Sequence, residues 1–269
     1  MIRLPTISLP RRTEQQLAGF QGRVDAIVDY EDRVREAKRL FSLYNKSTNA
    51  AFKVVRAKLV EMCSGARRCC YCEDSFANQV EHIKPKDLYP EETFLWKNYV
   101  YACSRCNGPK NNKFAVFSSA TGGFVDITPA RRVKPRVKPE TGTPVLINPR
   151  WEDPLAFMAL DLAYTFRFVP IKSVGSKDYE RARYTIEVLG LNAKDPLTKA
   201  REEAFLSYRS RLSDYIKMRD KGASKRKLDF FIKAMKGMQH PSVWKEMIRQ
   251  RKISTLRNLF DRAPEALKW

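Results

Sequence analysis

A pair of C-x-x-C doublets, Cys69/Cys72 and Cys103/Cys106, decides more about this chain than any other part of it, and the two bracket His82, one of only two histidines. A C-x-x-C turn presents two thiolates on one side of a tight loop. Two such turns closing on one ion give the tetrahedron of four cysteine sulfurs that Zn2+ adopts in structural sites. Four thiolates leave no position open for substrate, so the expected zinc acts as a staple for the segment between the doublets. The alternative is two unrelated pairs of buried thiols packing as small hydrophobes. It does not account for the same spacing occurring twice among six cysteines. Cys63 and Cys70 are left over. Cys70 competes with its neighbour as a ligand, but Cys69 fits the two-residue spacing better.

Between and just after the doublets stand Val80-Glu81-His82-Ile83, then Trp96-Lys97-Asn98-Tyr99, and finally Asn107-Gly108-Pro109-Lys110-Asn111-Asn112-Lys113. This order resembles the zinc-stabilised HNH nucleases, whose ββα-metal motif runs C-x-x-C, Asp/Glu-His-Ile, a central Asn, then C-x-x-C followed at once by His or Asn and a nearby Lys. The resemblance is confined to residues 69–113, within which every motif position is filled.

Carried over residue by residue, the resemblance implies that His82 is the general base for an attacking water. An imidazole suits that task because its ordinary pKa lies near neutrality. Glu81 and Asn107 would be the protein ligands of a catalytic divalent cation, Mg2+ or Mn2+, leaving most of its shell to water and phosphate. Asn98 would brace the loop and orient the histidine from outside the metal shell. Adjacent residues on an extended segment point to opposite faces, so Glu81 and His82 are expected to diverge. The family more often has Asp before the histidine and His after the last cysteine. Glu81 and Asn107 keep oxygen donors at both places, which favours hard cations over softer ones. Lys84, Lys86, Lys110 and Lys113 are candidate phosphate contacts, each with the alternative of a solvated lysine. The second histidine, His240, reads as a loop residue.

Lys and Arg number 51 against 30 Asp and Glu, a formal charge of +21. Such a field steers a chain toward polyanions and makes binding salt-dependent. The expected substrate is DNA, with RNA left open. No hydrophobic span or acylation signal supports membrane association. The opening MIRLPTISLPRR lacks the apolar run and cleavage site of a secretory signal, so a cytoplasmic, thiol-preserving location is expected.

The expected fold class is mainly α with a small zinc-stabilised ββα-metal module, α+β overall. Residues 1–62 read as a helical region. Apolar residues from Leu17 to Phe41 recur at mostly helical intervals, and Ser47 is a plausible N-cap for a further helix carrying Phe52, Val55 and Leu59, the two forming an antiparallel hairpin. Residues 63–117 form the nuclease module, with short extended pieces at Val80–Ile83 and Val100–Ala102 and a helix opening near Arg105 to Asn107. Residues 118–144 read as a basic, proline-rich linker containing Arg131, Arg132, Lys134, Arg136 and Lys138, or as an arm across the substrate groove. Residues 145–269 read as a mainly helical basic domain: a polar turn at Asn148–Leu155, one or two strands or a short helix followed by a strand between Phe157 and Val169, a helix at Tyr179–Leu189 stopped by Gly190, and a longer helix from about Leu197 to Arg219.

The INPRWEDP-like turn followed by an RARYTIEVLGLN-like helix resembles the C-terminal region of HNH proteins of bacterial anti-phage defence, the Septu-type and retron-associated nuclease subunits. That resemblance implies a partner, an ATPase of the ABC or SMC-like kind that gates cleavage. The chain carries no G-x-x-x-x-G-K-[ST] phosphate loop, so ATP dependence would have to come from another subunit. The expectation is therefore a metal-dependent HNH endonuclease acting on phosphodiester bonds in a prokaryotic defence context. Its rival is a zinc-stabilised nucleic-acid-binding or regulatory subunit without catalysis.

Overall fold

The computed structural model describes residues 1–130, 135–193 and 195–269. Helices α1 (Arg11–Asp25), α2 (Tyr30–Tyr44) and α3 (Ala50–Glu61) come first. The helical periodicity from Leu17 to Phe41 is thus interrupted. Asp29 accepts a hydrogen bond from the Asp32 amide and caps a new helix, and Val28 stands exposed in the break. Asn49, not the expected Ser47, caps α3 by accepting from the Phe52 amide at 3.1 Å. Buried faces of the three helices, with Leu17, Val24, Ala37, Leu40, Phe52 and Val55, merge into the core that runs on through the cysteine segment.

That segment forms an antiparallel pair, β1 (Gln79–His82) and β2 (Tyr99–Ala102), followed by the short α4 (Ser104–Lys110). The register sets Glu81 opposite Val100 and His82 opposite Tyr99. This is the ββα arrangement expected from the sequence.

The region expected as a linker contributes strands instead. β3 (Ala115–Ser118) pairs with both β4 (Phe124–Asp126) and β5 (Gly142–Pro144), in the order β4-β3-β5. Gly142 has to be glycine there, because a Cβ at that position would lie 2.1 Å from the Phe117 carbonyl oxygen. Arg131, Arg132 and Lys134 of the basic stretch fall outside the described residues.

The rest packs against the same core: a hairpin of β6 (Met158–Leu160) and β7 (Phe168–Pro170), then α5 (Lys177–Val188), α6 (Asp195–Asp220), α7 (Lys225–Lys236), α8 (Pro241–Arg249) and α9 (Ser254–Arg262). Gly190 ends the α5 region in the left-handed conformation, φ 60°. Two features tie this half to the cysteine segment. Arg150, in the polar turn, donates to the carbonyls of Trp96 (2.8 Å) and Tyr99 (2.9 Å) and stacks its guanidinium on the Trp96 ring. Glu73, just after Cys72, accepts from the amide (3.2 Å) and hydroxyl (2.5 Å) of Ser242 in α8. No described helix is long and apolar enough to cross a membrane.

Candidate active site

The cysteine doublets converge. The Sγ atoms of Cys69, Cys72, Cys103 and Cys106 all lie within 4.8 Å of one another and all four residues are buried. A tetrahedron with Zn–S bonds near 2.3 Å has edges of about 3.8 Å, and the Cys72 and Cys103 sulfurs stand 3.9 Å apart. All six cysteines are free thiols, and the Cys103 amide already points at the Cys69 sulfur (3.3 Å). Hydrogen bonding from Cys106 holds the Cys103 thiol low. Four buried, mutually facing thiols without a disulfide fit a structural zinc.

Zinc on these ligands would pin the turn before β1 to the start of α4, and so hold β1, β2 and α4 as a unit. On β1, Gln79 and Glu81 face α4. Gln79 Oε1 accepts from Asn107 Nδ2 at 2.7 Å, and the Lys110 ammonium lies 2.6 Å from Glu81 Oε1. His82 turns the other way and packs edge-on against Phe41 and Tyr99, with ring centroids at 4.5 and 5.1 Å. At the end of the strand both faces reach one cavity of about 490 Å3, whose lining includes Phe41, Arg56, Glu81, His82, Lys86 and Asn107.

The histidine is held in one tautomer. His82 Nε2 lies 2.9 Å from the Thr93 carbonyl oxygen, which can only accept, so Nε2 carries the proton and Nδ1 the lone pair. No hydrogen bond to Nδ1 is made among the described residues. Burial, and then the nearby Lys86 charge, pull the imidazole pKa well below its ordinary value, so the ring is neutral at pH 7. The Thr93 carbonyl is itself fixed by the Tyr99 hydroxyl at 2.6 Å. Asn98 clamps the same loop: its Oδ1 accepts from the Lys84 amide at 2.8 Å, and its Nδ2 donates to the Lys84 and Glu92 carbonyls at 3.0 and 3.1 Å. From outside the motif, Gln21 of α1 holds Pro90 and Phe94.

Glu81 is a buried carboxylate whose pKa burial raises, against the opposing pull of Lys110. Its Oε1 lies 2.6 Å from the Lys110 ammonium. A buried carboxylate lining the same cavity as an asparagine side chain is a donor set that suits a hard divalent cation. Glu81 and Asn107 therefore fit Mg2+ or Mn2+.

The four candidate phosphate lysines separate in the structure. Lys86 lines the cavity and Lys113 is exposed in an adjoining groove of about 840 Å3. Lys84 is paired with Glu92. Lys110 needs correcting: it is fully buried, paired with Glu81 and donating to the His82 carbonyl at 2.8 Å, and so has no face for a phosphate. His240 also differs from a plain loop residue. It is buried, with Nε2 at 3.4 Å from Asp74 Oδ1, in the turn that packs on the first cysteine knuckle. Sequence reasoning missed Arg56 and Gln79. Gln79 was legible as the residue two before Glu81, hence on its strand face. Nothing local marks Arg56, which reaches the cavity from α3 with its guanidinium held by the carbonyls of Asn45 and Lys46 and no carboxylate partner among the described residues.

Residues 69–113 match the HNH endonuclease family. The chain is also similar to the Septu protein PtuB of Bacillus thuringiensis, 29% identical over 106 residues. That match covers 38% of this chain and 41% of the relative, so the chain is matched to less than half of the relative's length.

Proposed function

We propose that the chain is a metal-dependent endonuclease that hydrolyses phosphodiester bonds, with DNA as its substrate. The observation that carries this reading is the state of His82: buried, neutral, fixed by Thr93 through Nε2, and opening a cavity that Glu81 and Asn107 also line. A positioned imidazole with a free lone pair is what proton abstraction from a water requires. In this reading Nδ1 takes that proton, and Asn98 keeps the loop carrying Thr93 from shifting. Lys86 and Arg56 set positive charge beside the phosphate. Gln79 orients the Asn107 amide so that its oxygen is turned away from the Nδ2 donor. Glu81 and Asn107 would hold Mg2+ or Mn2+, which when bound supplies charge stabilisation for the phosphate and the leaving oxygen. The zinc site of Cys69, Cys72, Cys103 and Cys106 keeps these parts in register. The groove carrying Arg35, Lys38 and Lys113 joins the cavity at Asn111 and Asn112 and gives the strand a path.

The similarity to a Septu protein supports a place in anti-phage defence. We extend that to a cytoplasmic protein working with a separate ATPase subunit that gates cleavage. Purified protein with and without such a subunit and ATP tests the extension: a rate independent of both would remove it.

One observation favours the non-catalytic reading, namely that Lys110 already neutralises Glu81. If Glu81 serves only that internal pair, no divalent cation binds in the cavity. Titration of Mn2+ into zinc-loaded wild type and Glu81→Gln, followed by manganese paramagnetic resonance, separates the two. A site lost in the variant supports the nuclease, and its absence from wild type supports the binding subunit.

A further inference from the structure

Helix α7 lies far along the chain from the cysteine segment, and none of its residues lines the His82 cavity. Its inner face, Leu228, Phe231, Ile232 and Met235, packs onto the common core. The outer face is unusual in combining two things. Arg226, Lys227 and Lys233 are exposed there, and none has a carboxylate partner among the described residues; the exposed Asp229 stands on the same helix, towards Lys225 and Lys236. Between the three cations Phe230 is 74% exposed and makes no ring contact with any described aromatic. On a helix, residues three and four apart are neighbours, so Arg226, Lys227 and Lys233 surround that phenyl ring.

A double helix would satisfy the three cations and leave the ring in water, since duplex bases are stacked on one another. An apolar protein surface would cover the ring and leave the charges uncompensated. A ligand offering both a flat π-face and regularly spaced negative charge matches the whole surface. Single-stranded nucleic acid does so, because aromatic side chains stack on unpaired bases while a basic surface follows the phosphates. We infer that α7 is a binding site for single-stranded nucleic acid, with Phe230 stacking on a base and Arg226, Lys227 and Lys233 contacting the flanking phosphates. This site is separate from the cavity and does not depend on its being catalytic.

The test is fluorescence anisotropy with a labelled oligothymidine and a duplex of equal length, using the full chain as His82→Ala so that no cleavage intervenes. Phe230→Ala is expected to weaken single-strand binding by about 5- to 150-fold, the range of one lost base–aromatic stack, with duplex binding unchanged. Phe230→Trp is expected to restore it. Lys227→Ala with Lys233→Ala is expected to reduce the salt slope for the single strand by about 1.4, two phosphates at about 0.7 each. Equal weakening of both probes by Phe230→Ala would mean phosphate contact without stacking. Binding unchanged in all variants would show that single-stranded nucleic acid binds elsewhere than on α7. Either result overturns the inference. Phe230 and the three cations are surface residues, so circular dichroism should report the same fold throughout.

Discussion

The proposed role of His82 as a base requires that it stay neutral, and its surroundings favour that form. A pKa lowered by burial and by Lys86 means that protonation begins well below the usual histidine range. Cleavage should therefore be flat with pH around neutrality and fall only on the acid side, below the pKa of an ordinary histidine. A pH–rate profile under saturating Mg2+ checks this, and a base limb centred at or above about pH 6.5, the ordinary histidine value, would contradict it. Lys110 gives a second test. Removing one member of a buried ion pair strands the other, at a cost of about 3–5 kcal/mol. Lys110→Met should thus lower stability by roughly that much in a denaturant melt. Salt dependence of DNA binding should not change, as it would if this lysine met a phosphate. The motif residues Glu81, His82, Asn98 and Asn107 could be named from the sequence through the resemblance to the HNH motif, and the structure brings Glu81, His82 and Asn107 to one cavity. The burial of Lys110 could not, because it depends on how α4 lies against β1, which no local pattern encodes.

Among the elements, the two strands, α4 and the converging cysteines were legible because each leaves a local mark: paired C-x-x-C turns, short extended stretches, a short helix opening within the second doublet. Helix boundaries were less so. The apolar stripe from Leu17 to Phe41 is nearly continuous, and only the Asp29 cap, where a side chain competes with the backbone, breaks it in two. Likewise Ser47 and Asn49 are both acceptable caps by type, and only the structure shows which one meets a free amide. Asn49→Ala should cost about 1 kcal/mol of stability, while Ser47→Ala should stay within about 0.5 kcal/mol. Equal effects in thermal melts would refute the assignment. The strands β4 and β5 were hidden by a glycine- and proline-rich sequence that reads as a connector until β3 is seen to pair with both. For the zinc module, folding and metal binding are coupled. Stripping the metal with a chelator, or Cys106→Ser, should abolish cleavage and expose the segment around β1 and β2 to hydrogen exchange while the N-terminal helices keep their protection.

Across the molecule, the cysteine module is held from both sides. Gln21 of α1 fastens the loop that carries Thr93, Arg150 reaches in from the polar turn to Trp96 and Tyr99, and Ser242 of α8 fastens Glu73 beside the first knuckle. Buried Arg201 of α6 donates to the Phe166 and Leu191 carbonyls, and burial lowers its pKa only to about 10, so it remains a cation near the cysteines. These holds explain why the sequence pointed to the site but not to its supports: the partners that reach the cysteine module are 54 to 169 residues apart. The net charge of +21 acts at this range as well. Affinity for DNA should fall steeply and linearly on a log–log plot against salt. Whether the His82 cavity cuts phosphodiester bonds is decided by nicking of supercoiled plasmid by zinc-loaded protein with Mg2+ or Mn2+, beside His82→Ala of equal zinc content. Metal-dependent nicking by the wild type is expected, with the gated case examined by adding the ATPase subunit and ATP, and a loss of at least about 100-fold in the variant. Nicking that survives unchanged in His82→Ala, or none under either condition with zinc in place, would refute a nuclease built around this histidine.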